Sequence, residues 1–262
     1  MRYTRLTVAA HPADDHASGA LRAAHTAEAV RRRLRSPHHS YLRDFVYGAV
    51  DGTVTTFAVA AGAIGANLRS SVVIILGVAN LIADGFSMAI SNFLATRSDR
   101  QRRERAGRDE ERHITIFPEG EREEIRQIYA AKGFSGDELE RVVDVITADR
   151  ARWIETMLQE ELGFPAETAD PYRAAASTFV AFLLVGFIPL VAFVVRAMVP
   201  GTFDDPFVWS SALTAITFFG IGTLKAPFVD ERWWRSGLET LAIGGFAAAL
   251  AYAVGAAIGG IV

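Results

Sequence analysis

The sequence predicts an all-α integral membrane protein with five transmembrane helices and a small helical domain inserted between the second and third. Three observations carry this: five apolar runs long enough to cross a bilayer, charges segregated outside those runs, and helical periodicity in the one long charged stretch. Half of the 262 residues are hydrophobic, yet the chain also holds 27 Lys and Arg and 30 Asp and Glu. A soluble domain would spread those charges along its length.

The first run, Phe45 to Ala66, carries one charge, and the second, Ser71 to Ala95, one acid. Ala174–Val195, Phe207–Leu224 and Leu238–Val262 follow. A bilayer core needs roughly 20 residues of helix. Gly62, Gly65, Gly77, Gly244 and Gly245 lie in these runs; such residues weaken an isolated helix in water but let membrane helices approach closely. Pro189, preceded by Gly186, interrupts the third run, and the lost hydrogen bond permits a kink. The first 43 residues carry charges throughout and lack the short apolar core of a signal peptide. Cysteine is absent, which excludes disulfides, thiolate metal sites, iron–sulfur clusters and cysteine catalysis.

These features divide the chain into a basic N-terminal arm (1–43), spans one and two (44–95), a helical domain (96–172) and spans three to five (173–262). The arm contains Arg31–Arg35 and the irregularly spaced His11, His16, His25, His38 and His39. Its basic character favours the cytoplasmic side of a cell membrane. Alternation across five spans then makes 96–172 cytoplasmic, puts short outer turns near Asn67–Ser70 and Val199–Pro206, and leaves the C-terminus outside. Lys225, Arg232 and Arg235 in the next inner loop obey the same rule.

Within the inserted domain, Ser98–Arg112 extends the second span as a charged helix ended by Phe117-Pro118. Ile125 and Ile128 mark the apolar face of a helix over Glu119–Ala131, which Gly133 ends. Ser135 with Glu138 has the capping-box spacing for the next helix, whose face is Leu139, Val142, Val143 and Ile146. Trp153, Ile154, Met157, Leu158 and Leu162 continue the pattern until Gly163-Phe164-Pro165.

Two acids, Asp51 and Asp84, lie inside apolar spans, where an unpaired carboxylate is expensive and needs a partner or a function. Thr55 lies one turn from Asp51, so a packing hydrogen bond is an alternative. Asn80, Asp84, Met88 and Asn92 recur every four residues, stacking amide, carboxylate, thioether and amide along one side of a helix. That set suits a path for a partly dehydrated cation, the thioether favouring a softer transition metal; interhelical hydrogen bonding also accounts for the amides. In the charged domain, Glu110 and His113, Glu121 and Glu124, and Met157 and Glu161 share helix faces in pairs. Gathered together they would ligate Fe(II), Mn(II) or Zn(II); left apart they form a solvated charged face. No Walker loop, dinucleotide-binding glycine motif or HExxH is present, so neither nucleotide chemistry nor metallohydrolysis has a visible site and an enzyme is not predicted. The basic arm lacks the aromatic interleaving of a nucleic-acid binder, and no prosthetic group is expected.

The runs YLRDFVYGAVDGTVTTFAVAAG, ILGVANLIADGFSMAISNFLATRS, FPEGEREEIRQIYAAKGF and MLQEELGF resemble the vacuolar iron transporter (VIT) family across residues 41–262, in the manner of a bacterial member. The resemblance implies a homodimer with five spans per subunit that exports Fe(II), sometimes Mn(II), from the cytoplasm in exchange for protons. It assigns Asp51 and Met88 to the transport path, and Glu110, Glu121, Glu124, Met157 and Glu161 to a cytoplasmic metal-collecting site. His113 stands where that set has a carboxylate, and Asn80 and Asn92 stand where many relatives carry acids. The alternative expectation is a membrane-bound metal sensor or interaction protein without transport activity.

Overall fold

The computed structural model describes residues 25–35, 40–226 and 230–261. His11, His16, His38 and His39 of the arm lie outside the described residues, as do residues 227–229 of the predicted inner loop. All regular elements among the described residues are helical. Helix α1, Ala27–Arg35, belongs to the unit Met1–His39; everything below concerns the compact unit Ser40–Val262.

Helix α2 spans Leu42–Gly65 and α3 spans Ser70–Ile116. Then come α4 (Pro118–Ala131), α5 (Gly136–Thr147) and α6 (Arg150–Thr156), the last running into a π-helical turn at Met157–Glu161. Helix α7 (Pro171–Gly186), a 3₁₀ turn (Ile188–Leu190) and α8 (Val191–Met198) together form the third apolar span. Helices α9 (Pro206–Lys225) and α10 (Trp233–Gly259) bring to five the helices among the described residues that are long and apolar enough to cross a membrane.

Local chemistry explains the boundaries. Helix α3 runs unbroken from apolar into charged sequence and stops at Phe117, whose φ of -140° and ψ of 67° leave the helical region before Pro118. Pro118 then opens α4 at a position that needs no N–H donor. Asp149, Asp170 and Asp205 cap α6, α7 and α9 by accepting from backbone N–H groups of Arg152, Arg173 and Phe207 at 2.8, 2.9 and 2.8 Å. The predicted capping box at Ser135 is not formed. Ser135 holds the N-cap position without a side-chain cap bond, because Gly136 enters the helix at a left-handed φ of 58° and turns the first amides away. The span is interrupted at Pro189: it tightens there into a 3₁₀ turn, and the Ser210 hydroxyl of α9 donates to the Pro189 carbonyl at 2.5 Å.

Helix α2 is the hub, packing against α3, α7, α9 and α10. Small residues set how closely it meets α7. A Cβ on Gly52 would stand 2.6 Å from the Phe182 carbonyl oxygen, and one on Gly186 would stand 2.8 Å from the Gly52 backbone. Outward, the spans expose Ile75, Phe86, Leu184, Ile216 and Phe246, a surface made for lipid. Gly186→Val should therefore lower stability by about 1–3 kcal/mol through overpacking, while Gly245→Ala, with open space around it, should change it by less than about 0.5 kcal/mol. Thermal unfolding in detergent micelles checks both.

Candidate functional site

The inserted helices are held together by an apolar cluster and by arginines. Ile114 of α3, Ile125 of α4, Leu139, Val143 and Ile146 of α5, Trp153 and Met157 form the cluster. Arg126 of α4 clamps Glu140 of α5 through two bonds of 2.8 and 3.0 Å. Arg103 of α3 reaches both oxygens of Glu155 at 2.6 Å and donates to the Pro165 carbonyl at 3.3 Å. The arginine ties were not anticipated; spacing within one helix carries no signal of a partner tens of residues away.

This frame brings Glu110, His113 and Glu121 together. Their potential ligand atoms all lie within 4.8 Å of one another. His113 Nδ1 is 3.6 Å from Glu121 Oε1 and 4.0 Å from Glu110 Oε1. Both glutamates are buried, and Oε2 of each has no hydrogen-bond partner, whereas His113 is exposed. Two buried, unpartnered carboxylate oxygens beside an imidazole are a donor set suited to a borderline divalent cation.

The electrostatics agree. Burial, then the neighbouring Glu121 and Glu161 carboxylates, push Glu110 up to about 7, and a hydrogen bond with Glu121 helps keep its proton. Burial and Glu124 raise Glu121; burial, Glu124 and Glu121 raise Glu161. Glu124 and Glu161 thus lie within electrostatic reach of the trio, outside its tight contact. Glu161 arrives there on the π-helical turn, closed by the Leu162 N–H donating to the Met157 carbonyl at 3.1 Å. Met157 is placed differently from the acids: its side chain is fully buried in the apolar cluster, beneath the site.

Asp51 sits half-buried on α2, which packs against α3, the helix that carries Asp84. Thr55 does bond, but to the Asp51 backbone carbonyl, at 2.9 Å, leaving the carboxylate out of that contact. The two amides are used as interhelical ties. Asn80 donates to the Thr55 hydroxyl at 3.3 Å; Asn92 donates to Asp44 Oδ1 at 2.9 Å and to the Thr178 hydroxyl at 2.8 Å, joining α3 to α2 and α7. Met88 is half-buried against the core formed by Leu81, Phe182 and Leu190, while Asp84 is exposed on the outer surface of α3. Asp44 was not singled out in the sequence, because a carboxylate at the first turn of a helix is ordinary.

The sequence model of the VIT family matches residues 42–256, from the start of α2 to the last turns of α10. The chain belongs to the VIT family. It is 35% identical over 214 residues to vacuolar iron transporter 1 of Arabidopsis thaliana, covering 80% of this chain and 83% of that protein. Toxoplasma gondii has a vacuolar iron transporter 31% identical over 250 residues, covering 90% and 82% respectively. Vacuolar iron transporter 1 of Eucalyptus grandis is 32% identical over 220 residues, covering 83% and 86%. The VIT family match includes both the Asp51–Asp84 region and the Glu110–His113–Glu121 cluster.

Glu110 titrates near 7 in the fold against an ordinary 4.5, so the fold favours its protonated form. That stabilisation is complete below 4.5 and is lost as pH rises through about 7. Metal-free protein should therefore melt at progressively lower temperature between about pH 5 and about pH 8, and Glu110→Gln should flatten the slope. Thermal unfolding with chelator present reads this; an unchanged slope in the variant would place the effect elsewhere.

Proposed function

We propose that this VIT-family protein is a proton-coupled divalent metal transporter that exports Fe(II), with Mn(II) as a second substrate, from the cytoplasm. The observation that carries the reading is a carboxylate on each of two packed apolar helices, Asp51 on α2 and Asp84 on α3. Two carboxylates at such depth need a proton or a cation, and exchanging one for the other is the elementary step of antiport. Met88, one turn beyond Asp84, adds a soft ligand. Glu110, His113 and Glu121, with Glu124 and Glu161 around them, would collect the ion before it enters the membrane.

The coarser part, iron transport by a multi-pass membrane protein, accords with the names of the relatives. Orientation rests on Arg97, Arg100, Arg102 and Arg103 following the second span, which favours a cytoplasmic position for residues 96–172 and the N-terminus, and an outer C-terminus, in a cell membrane. A homodimer is supported by Asp84, whose exposure on an apolar helix calls for a protein surface over it.

Reconstituted protein should take up Fe(II) into vesicles faster under an opposing pH gradient, with a lumenal dye reporting proton movement. Asp51→Asn should cut the flux at least about tenfold. Iron flux indifferent to the gradient would remove the coupling. No flux of iron, manganese or zinc from folded protein would turn the reading to a metal sensor. Met88→Ala should lower iron flux more than manganese flux, since the thioether matters less to the harder ion; equal losses would contradict that role.

A further inference from the structure

On the side of α3 turned away from Asp84, at about 3.6 residues per turn, a cavity of about 300 Å³ opens where the second and third spans leave the apolar zone. Its lining includes Phe93, Arg97, Arg100 and Glu104 of α3, with Asp170 and Tyr172 at the start of α7. That volume is at the lower end for small-ligand pockets. The last apolar residues before it are Leu94 and Ala95, so it lies at headgroup level on the face of the membrane that carries the inserted helices.

The chemistry inside is mixed. The Arg97 guanidinium lies 5.9 Å from the centre of the Phe93 ring rather than against a carboxylate. Arg100 pairs with Glu104 at 3.0 Å. Asp170 accepts the Arg173 N–H through Oδ1. Tyr172 is 74% exposed, with its ring 5.0 Å from Phe93 and tilted by 58°, an aromatic pair at the depth where interfacial aromatics collect. Two guanidiniums and two carboxylates therefore face one small space beside lipid.

A purely anionic headgroup would meet both carboxylates, and a choline headgroup has no N–H to give them. A phosphodiester carrying a primary ammonium satisfies both signs: guanidinium takes the phosphate and the carboxylates take the ammonium. We propose that this cavity binds the headgroup of an aminophospholipid, with the acyl chains running beside Phe93 in the cleft between α3 and α7. A lipid seated there would brace the junction at which α3 leaves the membrane and α7 enters it.

Native mass spectrometry of the full-length protein released from bilayer discs of equal phosphatidylethanolamine, phosphatidylcholine and phosphatidylglycerol tests this. The expected result is retention of phosphatidylethanolamine about tenfold over either competitor. Arg97→Gln and Glu104→Gln should each bring the ratio to parity, while Arg97→Lys keeps most of the preference. Should Arg97→Gln fail to fold, the wild-type ratio and Arg97→Lys still decide. Parity in the wild type, preference for phosphatidylglycerol, or undiminished preference in folded Arg97→Gln would overturn the proposal. Binding of soluble phosphoethanolamine by protein in phosphatidylcholine discs, without enrichment of the lipid, would also overturn it and assign the cavity to a soluble phosphoester.

Discussion

Continuity of the backbone hydrogen bonds in α3 is the constraint from which the rest of the molecule takes its layout. The helix has 47 residues and at 1.5 Å per residue is roughly 70 Å long. Its apolar part spends about half of that length crossing the membrane, and the remainder projects as a polar shaft. Asp84 and Glu110 are on this one element, on the order of 40 Å apart. They cannot share an ion, yet their separation is held by one unbroken helix. The inserted helices add no independent scaffold: they fold back on the shaft through Ile114, Arg103 and Arg150, the last of which donates to the Glu111 carbonyl at 2.7 Å.

The two regions deal with unpaired negative charge in different ways. In the inserted helices, carboxylates stand close together under partial burial, and the cost appears as a proton held by Glu110 near neutrality. In the spans, two amides are used as ties between helices: Asn80 and Asn92 join α3 to α2 and α7. What remains is Asp51 and Asp84, for which no ion pair is formed among the described residues. Amides at positions 80 and 92 thus contribute fixed architecture, and the proposed proton exchange falls to the two carboxylates.

Much of this was legible from the residues. Five spans, the long polar continuation of α3, its stop at Pro118 and the interruption at Pro189 follow from length, charge and proline chemistry, all of which are local. The helical pairing of Glu110 with His113 was equally legible, and so was Glu121 with Glu124, but their convergence was not, because it depends on the turn at Phe117 and on arginine clamps between helices. His113 illustrates the gain: its place in the trio needed coordinates. Met157 illustrates the converse, since its spacing with Glu161 marks a shared face equally well whether the thioether faces the acids or the apolar cluster. The Ser135 motif misled because a capping box presumes a helical entry that Gly136 does not make.

The proton on Glu110 also bears on how coupling is to be recognised. Under the proposed function, a cation entering between Glu110 and Glu121 would displace that proton, so binding in the inserted helices alone would release acid near neutral pH. Such release is scalar and needs no crossing of the membrane. Antiport is vectorial: protons move against the metal from one compartment to the other. A pH change on the side where metal is added would follow from Glu110 even if Asp51 and Asp84 carried nothing, whereas a change in the opposite compartment requires the carboxylates in the spans. The same trio therefore strengthens the case for metal handling while leaving proof of exchange to the pair within the membrane.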